Sequence, residues 1–412
     1  MYFHQLEKLL YFSIFIFPIQ ILHIKVKSTS IDISTLIILL VLIFAILKTE
    51  LKYNKNTLIY YSIFLLLELV IFLFSPAPIV RFFSSLIWIS LTFILIFGKK
   101  LFILDYSFIE KLLKIAMLIA ALLCWYQYFI IIGPERYNLG VKLRSSALFM
   151  EPSYAGLALY AMSLSYLSSF IYRNEKITNL CFSIFYFATG ILTLSMHVVT
   201  FLLIISLVIL YYLKNKFSYK TFFYFLSISF FLLLLTYLLI FVIDVDFVRV
   251  FTNHFMRRID VFNLETSSLS LLAWIMGFDQ MIKSFDYNVI LGLGVGLGST
   301  GEFFFESNAK NILNSYGAGD LTLKDAYSLF YRLVIEIGLI ITLIFIAYIF
   351  IKTHYFLKTI DKKKIESLFC FIFSLTIIIG SLIKEPNLSR SSLIIAILIF
   401  TTISIKKIKK ND

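Results

Sequence analysis

A polytopic, all-α membrane bundle is the fold class this sequence predicts, and three observations predict it. The 412 residues are 60% hydrophobic and 18% aromatic with a mean hydropathy of +0.93, more than a soluble domain carries. Apolar runs long enough to cross a hydrocarbon core of roughly 30 Å as helices recur down the whole chain. The polar–apolar alternation of a barrel strand is absent, so helices, which satisfy their own backbone hydrogen bonds, are the expected spanning elements.

The runs predict about twelve spans, at 9–24, 33–47, 58–74, 82–97, 112–132, 153–171, 178–195, 197–213, 222–243, 326–350, 367–383 and 391–405. The first, Leu9 to Leu22, has no small-residue cleavage site after it and reads as a helix and not as a signal-peptide core. Cys124, Cys181 and Cys370 lie inside apolar runs without pairing or metal-ligand spacing, and read as packing residues.

Charge placement orients these spans. With the amino terminus inside, the inner segments hold 22 of the 37 basic residues, including Lys362 to Lys364 and the tail Lys406, Lys407, Lys409 and Lys410. The short outer loops hold eight: Lys25, Lys27, Arg81, Arg136, Lys142, Arg144, Lys384 and Arg390. The positive-inside rule therefore predicts both termini in the cytoplasm, and it exempts the long 244–325 segment, which faces outward. Three regions follow: helices with short loops over 1–243, a long extracytoplasmic loop over 244–325, and three more helices with a basic cytoplasmic tail over 326–412. The net charge of +13 thus orients helices and offers nucleic acid no soluble basic domain. Inner cations are mostly lysine, whereas Arg144, Arg249, Arg257, Arg258, Arg332 and Arg390 lie on or near the outer side. Their planar forks suit phosphate or carboxylate.

The long loop has structure of its own. "LSLLAWIMGFDQMIKSF", 269–285, is apolar apart from Asp279 and Lys283, and Thr266 and Ser267 are candidate caps. It reads as an interfacial helix lying on the outer leaflet or covering a cavity. "LGLGVGLGSTGEFF" carries Gly292, Gly294, Gly296, Gly298 and Gly301 but lacks the strand–turn–helix unit of a dinucleotide fingerprint and the Gly-Lys-Ser/Thr of a P-loop. It reads as a sharp backbone turn against the membrane surface. "ESNAKNILNSYGAGD" reads as polar and turn-rich.

The residues that could carry chemistry cluster at outer helix mouths. In "RSSALFMEPSYAG", Pro152 fits the first turn of a helix and leaves Glu151 at its amino end, where the dipole favours a carboxylate. Arg144 can fold back over the same mouth, as a capping ion pair or as part of a site. In "LKDAYSLFYRLVIEIGLI", Asp325, Arg332 and Glu336 are spaced by seven and four. On one continuous helix that spacing puts them within about 40° of each other. Charges at that depth face a partner or a water-filled cavity, and Arg332 and Glu336 can neutralise each other at i,i+4. "KEPNLSR" adds Glu385 and Arg390 at a further outer mouth, with Lys384. Glu68, alone in the third span, receives no role. The five histidines are scattered, "DVD" at 244–246 is too short a pattern to carry an argument, and no Walker motif occurs. The expected chemistry uses no metal, no cofactor and no nucleotide, and is driven by a substrate that brings its own activation.

Several of these features together resemble the Wzy-type O-antigen polymerase and O-antigen ligase superfamily: the span number, the late outer loop, "R-x₁₁-G" from Arg144 to Gly156 around "EPSYAG", "LTLS" at 192–195, "RR…W…GLGVGLG" and "DAYSLFYRLVIEIGLI". The resemblance implies a glycosyltransferase of the bacterial cytoplasmic membrane acting on an undecaprenyl-diphosphate-linked oligosaccharide, for O-antigen, capsule or exopolysaccharide. It implies diphosphate binding by Arg144 and by Arg257 or Arg258, with Arg332 a further candidate and Arg249, Glu336, Glu385 and Arg390 in support. Membrane lipid and a chain-length regulator protein are the further partners it implies. Ligases of the superfamily carry His-Asn before the tenth-span-like segment. Asp325-Ala326 stands there in this chain, so the expectation is a polymerase, with Glu151 or Asp325 as the base that takes the proton of the attacking hydroxyl. A ligase moving finished glycan, and a flippase for the same lipid, are the alternatives.

Overall fold

Pro18 sets the end of the first helix. The residue before a proline is pushed out of the helical region, so α1 runs Tyr2–Ile16, earlier than the 9–24 expected. The computed structural model describes residues 2–21, 23–26, 29–48, 55–97, 104–132, 145–149, 151–173, 177–193, 195, 269–288, 292–319, 323, 326–359, 365–384 and 390–403. The expected spans at 197–213 and 222–243, and the caps Thr266 and Ser267, lie outside them.

The all-helical expectation holds for the described residues with one exception. β1 (His23–Val26) and β2 (Thr29–Asp32) pair antiparallel, His23 opposite Asp32 and Val26 opposite Thr29. Ile24 and Ile31 sit opposite each other on this hairpin, which occupies what the sequence reads as a plain loop. Asp32 then caps α2 (Ile33–Lys48), accepting from the Thr35 amide at 2.7 Å. α3 (Lys55–Phe74) and α4 (Ile79–Phe97) follow, then α5 (Tyr106–Tyr126), which widens into a π-helical turn at Gln127–Ile132. α6 (Pro152–Arg173) and α7 (Ile177–Leu192) make the closest pair. Apolar packing alone does not hold helices together where the surroundings are equally apolar, and small residues and hydroxyls take over. Ser163 and Ser183 exchange hydrogen bonds to each other's carbonyls at 2.8 and 2.9 Å, and Gly190 lies against the ring of Tyr160, where a Cβ would come within 2.5 Å.

The late part of the chain comprises α8 (Leu269–Ser284), α9 (Asn308–Ser315), α10 (Leu329–Ile337), α11 (Leu339–Thr359), α12 (Ile365–Lys384) and α13 (Ser391–Thr402). Among the described residues three helices are long and apolar enough to cross a membrane: Ile79–Ile96, Leu339–Lys358 and Ser367–Lys384. The last is 83% buried against 28% and 22% for the other two, so α12 is the axis of the bundle, and α6, α13, α5 and α10 pack around it. The chain is a helical membrane protein.

Two differences from the sequence reading bear on the site. The expected span 326–350 is two helices, broken at Gly338 (φ 87°, ψ 163°), a conformation that a side chain resists. The helix before the break starts only at Leu329. Ala326 and Tyr327 have φ of 53° and 60°, and Ser328 caps the helix, accepting from the Tyr331 amide. Asp325, the first member of the stripe drawn with Arg332 and Glu336, lies outside the described residues.

The glycine segment is also not a surface turn. Gly292, Gly294, Gly296, Gly298 and Gly301 all have positive φ, and the residues between them, Val295, Leu297 and Ser299, are buried. Its amides cap α10: Val295 N–H donates to Ile335 O at 2.7 Å and Gly296 N–H to Glu336 O at 3.2 Å. With α8, α9 and α10 it closes a second core, through Met276, Val295, Phe305, Leu313 and Tyr331. α8 thus covers protein, with Leu272 and Met276 inward and Phe278 and Ile282 outward. The stretch expected to be turns contains α9, because Ser307 caps it and its hydroxyl also donates to Asp279 of α8. Ser307→Ala should loosen this helix by about 1 kcal/mol. Hydrogen exchange over Asn308–Ser315 reads the effect, and unchanged protection would mean that packing of Ala309 and Leu313 alone holds α9.

Candidate functional site

Two polar clusters lie inside this apolar bundle. In the first, Arg332 of α10 donates from Nε to Glu336 Oε1 at 2.9 Å and from a terminal nitrogen to Ser85 Oγ of α4 at 3.2 Å. The side chains of Arg332 and Glu336 are only 14% and 2% exposed, so each neutralises a charge that neither lipid nor core tolerates alone. Glu336 Oε1 also accepts from the Thr300 hydroxyl at 3.0 Å, which ties α10 to the glycine segment. Arg81, at the start of α4, pairs with Glu302 and reaches Thr300 O at 3.4 Å. Glu68 of α3 completes the cluster. It is buried, the backbone amide of Leu297 approaches its carboxyl, and Glu336 is its charged neighbour. Its Oε2 has no hydrogen-bond partner.

An apolar groove of about 360 Å³ is lined by the same helices α3, α4 and α10, inside the range of roughly 300–1,000 Å³ usual for small-molecule sites. Its wall is Tyr61 and Phe64 of α3, Ile89 and Phe93 of α4, Leu333 and Ile337 of α10, and residues of α11, α12 and α13. Glu68 lies four residues beyond Phe64, and Ser85 four before Ile89. At about 1.5 Å per residue both polar groups sit one helical turn past the lining.

The second cluster is at the mouth of α6. Glu151 precedes Pro152, its carbonyl accepts from the Tyr154 and Ala155 amides, and its carboxylate accepts from Ser153 Oγ at 3.2 Å. The side chain is exposed. Arg390, buried just before α13, donates to the Tyr154 hydroxyl at 2.9 Å and lies 4.3 Å from the centre of its ring. Asp32 joins this mouth to α2 and α13, because its second oxygen accepts from the Ser391 amide at 3.4 Å. Both clusters lie at the same end of α12: the Ser328 hydroxyl, at the start of α10, donates to Leu382 O, and Trp274 of α8 donates to Ile383 O.

Of the residues picked from the sequence, the structure pairs Arg332 with Glu336 and brings Glu151 and Arg390 to one helix mouth. Arg144, Arg249, Arg257, Arg258, Asp325 and Glu385 lie outside the described residues. Sequence reasoning missed Glu68, Ser85, Thr300 and Glu302, and counted Arg81 only as a loop cation. The available signals were a lone carboxylate in an apolar run and glycine at every second position. Among the described residues no three His, Cys, Asp or Glu side chains gather as metal ligands do. No model of a known protein family matches the chain, and no curated protein is similar enough to match.

Proposed function

We propose that this chain is a polysaccharide polymerase, transferring a growing glycan from its polyprenyl diphosphate onto the next lipid-linked repeat unit at the outer face of a bacterial cytoplasmic membrane. The proposal includes a bundle of about twelve spans with both termini inside. The observation that carries it is the groove: a hydrocarbon-lined space whose α3 and α4 walls continue, one helical turn on, to Glu68 and Ser85 suits an amphiphile with a long apolar tail and a polar head. The sequence resemblance supplies the kind of amphiphile.

In this reading the hydroxyl oxygen of the incoming unit bonds to the anomeric carbon of the growing glycan. The bond from that carbon to the diphosphate breaks, and the electron pair leaves on the polyprenyl diphosphate. Cations must meet the departing charge and a carboxylate must take the hydroxyl proton. Among the described residues, Arg332 and Arg81 each balance a carboxylate. By the resemblance, the diphosphate falls to Arg144 and to Arg257 or Arg258, with Arg332 a further candidate and Arg390 in support, and the sequence reading offers Glu151 or Asp325 as the base.

The test is a gel of lipid-linked glycans from a strain lacking the protein and complemented with the wild type or with Arg144→Ala. Single repeat units on the outer face in the deletion strain, a restored ladder with the wild type and single units again with the variant are expected. Long chains still on the lipid would mean a ligase and would overturn the reading. A second reading, a transporter for the same lipid, is favoured by the helix break at Gly338, since broken helices beside buried charges mark transport sites. It predicts single units held on the cytoplasmic face.

A further inference from the structure

We infer that Glu68 is the proton acceptor of this site, a role that the sequence reading gives to Glu151. The inference rests on the polymerase reading and on four observations. First, among the described residues the ion pairs of the cluster join Arg332 with Glu336 and Arg81 with Glu302, and the third carboxylate, Glu68, has Glu336 as its charged neighbour. Second, Glu336 is already fixed on both sides, by the Arg332 guanidinium and the Thr300 hydroxyl, so it can turn to a substrate only by breaking the cluster. Third, Glu68 Oε2 has no partner although the residue is 1% exposed. A buried acceptor left unmet costs roughly 1–3 kcal/mol, and such a group calls for an explanation that a substrate hydroxyl provides. Fourth, Glu68 continues the stripe of Tyr61 and Phe64 along α3, one helical turn beyond the groove lining.

Glu151 compares poorly on each count. It is exposed, its carboxylate accepts from the neighbouring Ser153, and its position at a helix amino end accounts for it without a substrate. Proton transfer in a dry site needs an acceptor held in place and otherwise unsatisfied, and Glu68 is that acceptor. The groups that act on it are the Glu336 carboxylate of α10 and the Leu297 amide of the glycine segment. In the transfer, the hydroxyl proton passes to Glu68 Oε2 as the oxygen closes on the anomeric carbon and the diphosphate departs.

Glu68→Gln and Glu68→Asp, each expressed in the deletion strain, test the assignment on the same gel, with the melting temperature of each purified protein measured in detergent. The expected result is single repeat units for Glu68→Gln, a loss of about 10²–10⁴-fold in extension, and a partial ladder for Glu68→Asp, both melting near the wild type. A full ladder from Glu68→Gln, or equal loss in Glu68→Gln and Glu68→Asp with a lowered melting temperature, overturns the assignment and leaves the polymerase standing. A deletion strain that accumulates long lipid-linked chains, or single units on the cytoplasmic face, overturns the polymerase itself, and the role of Glu68 falls with it.

Discussion

Arg332→Ala should lower the stability of the folded protein by about 3–5 kcal/mol, the range for breaking a buried ion pair and leaving one charge behind. The charge left is Glu336, in a side chain only 2% exposed, with Glu68 as a second carboxylate nearby. Two acids would then lie near each other without Arg332 to balance them. Arg332→Met combined with Glu336→Leu should recover most of the loss, because an apolar pair of similar volume removes both charges together. Thermal unfolding of the purified variants in one detergent reads both effects. A single variant that melts like the wild type would show that Arg332 has no structural role and would move it to the substrate. A double variant no better than the single would show that the hydrogen bonds to Ser85 and Thr300, and not the charge balance, hold α10.

Gly338→Ala should be nearly as damaging, for a different reason. At φ 87° and ψ 163° the backbone is in a region essentially reserved for glycine, with strain of order 1–3 kcal/mol for another residue. The added Cβ would also stand 2.0 Å from Gly292 O and 2.6 Å from Leu293 C. Both are backbone atoms, so the clash cannot be relieved by rotating a side chain, and overpacking adds roughly 1–3 kcal/mol. Gly317 is the control. Its φ is also positive, at 67°, but nothing lies within 4 Å of the position a Cβ would take, so Gly317→Ala should show the strain alone. Equal drops in melting temperature for the two variants would refute the close approach at Gly338.

What the sequence made legible was local. Apolar runs gave α2, α3, α4 and α12 close to their observed bounds, because length and hydrophobicity are properties of one segment. The Arg332–Glu336 pair was visible because i,i+4 spacing needs only one helical turn. What failed depended on distant parts of the chain. A lone glycine in "EIGLI" is tolerated in many helices, and it breaks this one because the 292–296 backbone lies against it. The span expected from 326 starts as a helix only at Leu329, because Ala326 and Tyr327 adopt positive φ that neither residue type announces. Glu68 could be noticed but not placed, since its neighbours Leu297 and Glu336 come from the far end of the sequence. Arg81 shows the same limit: a cation near a helix end is counted the same way whether it faces water or Glu302.

The glycine segment is wedged between two helices that do not follow each other in the chain. Gly298 lies against the backbone of Arg81 and Phe82 in α4, Gly294 against that of Glu336 and Gly338. A segment seated this way cannot be exchanged as a cassette. A graft from another protein would have to bring glycine at both contacts and an α10 whose last carbonyls await its amides. Changes in what the protein accepts are therefore expected to arise one side chain at a time around the groove and the α6 mouth, while this backbone wedge stays as it is.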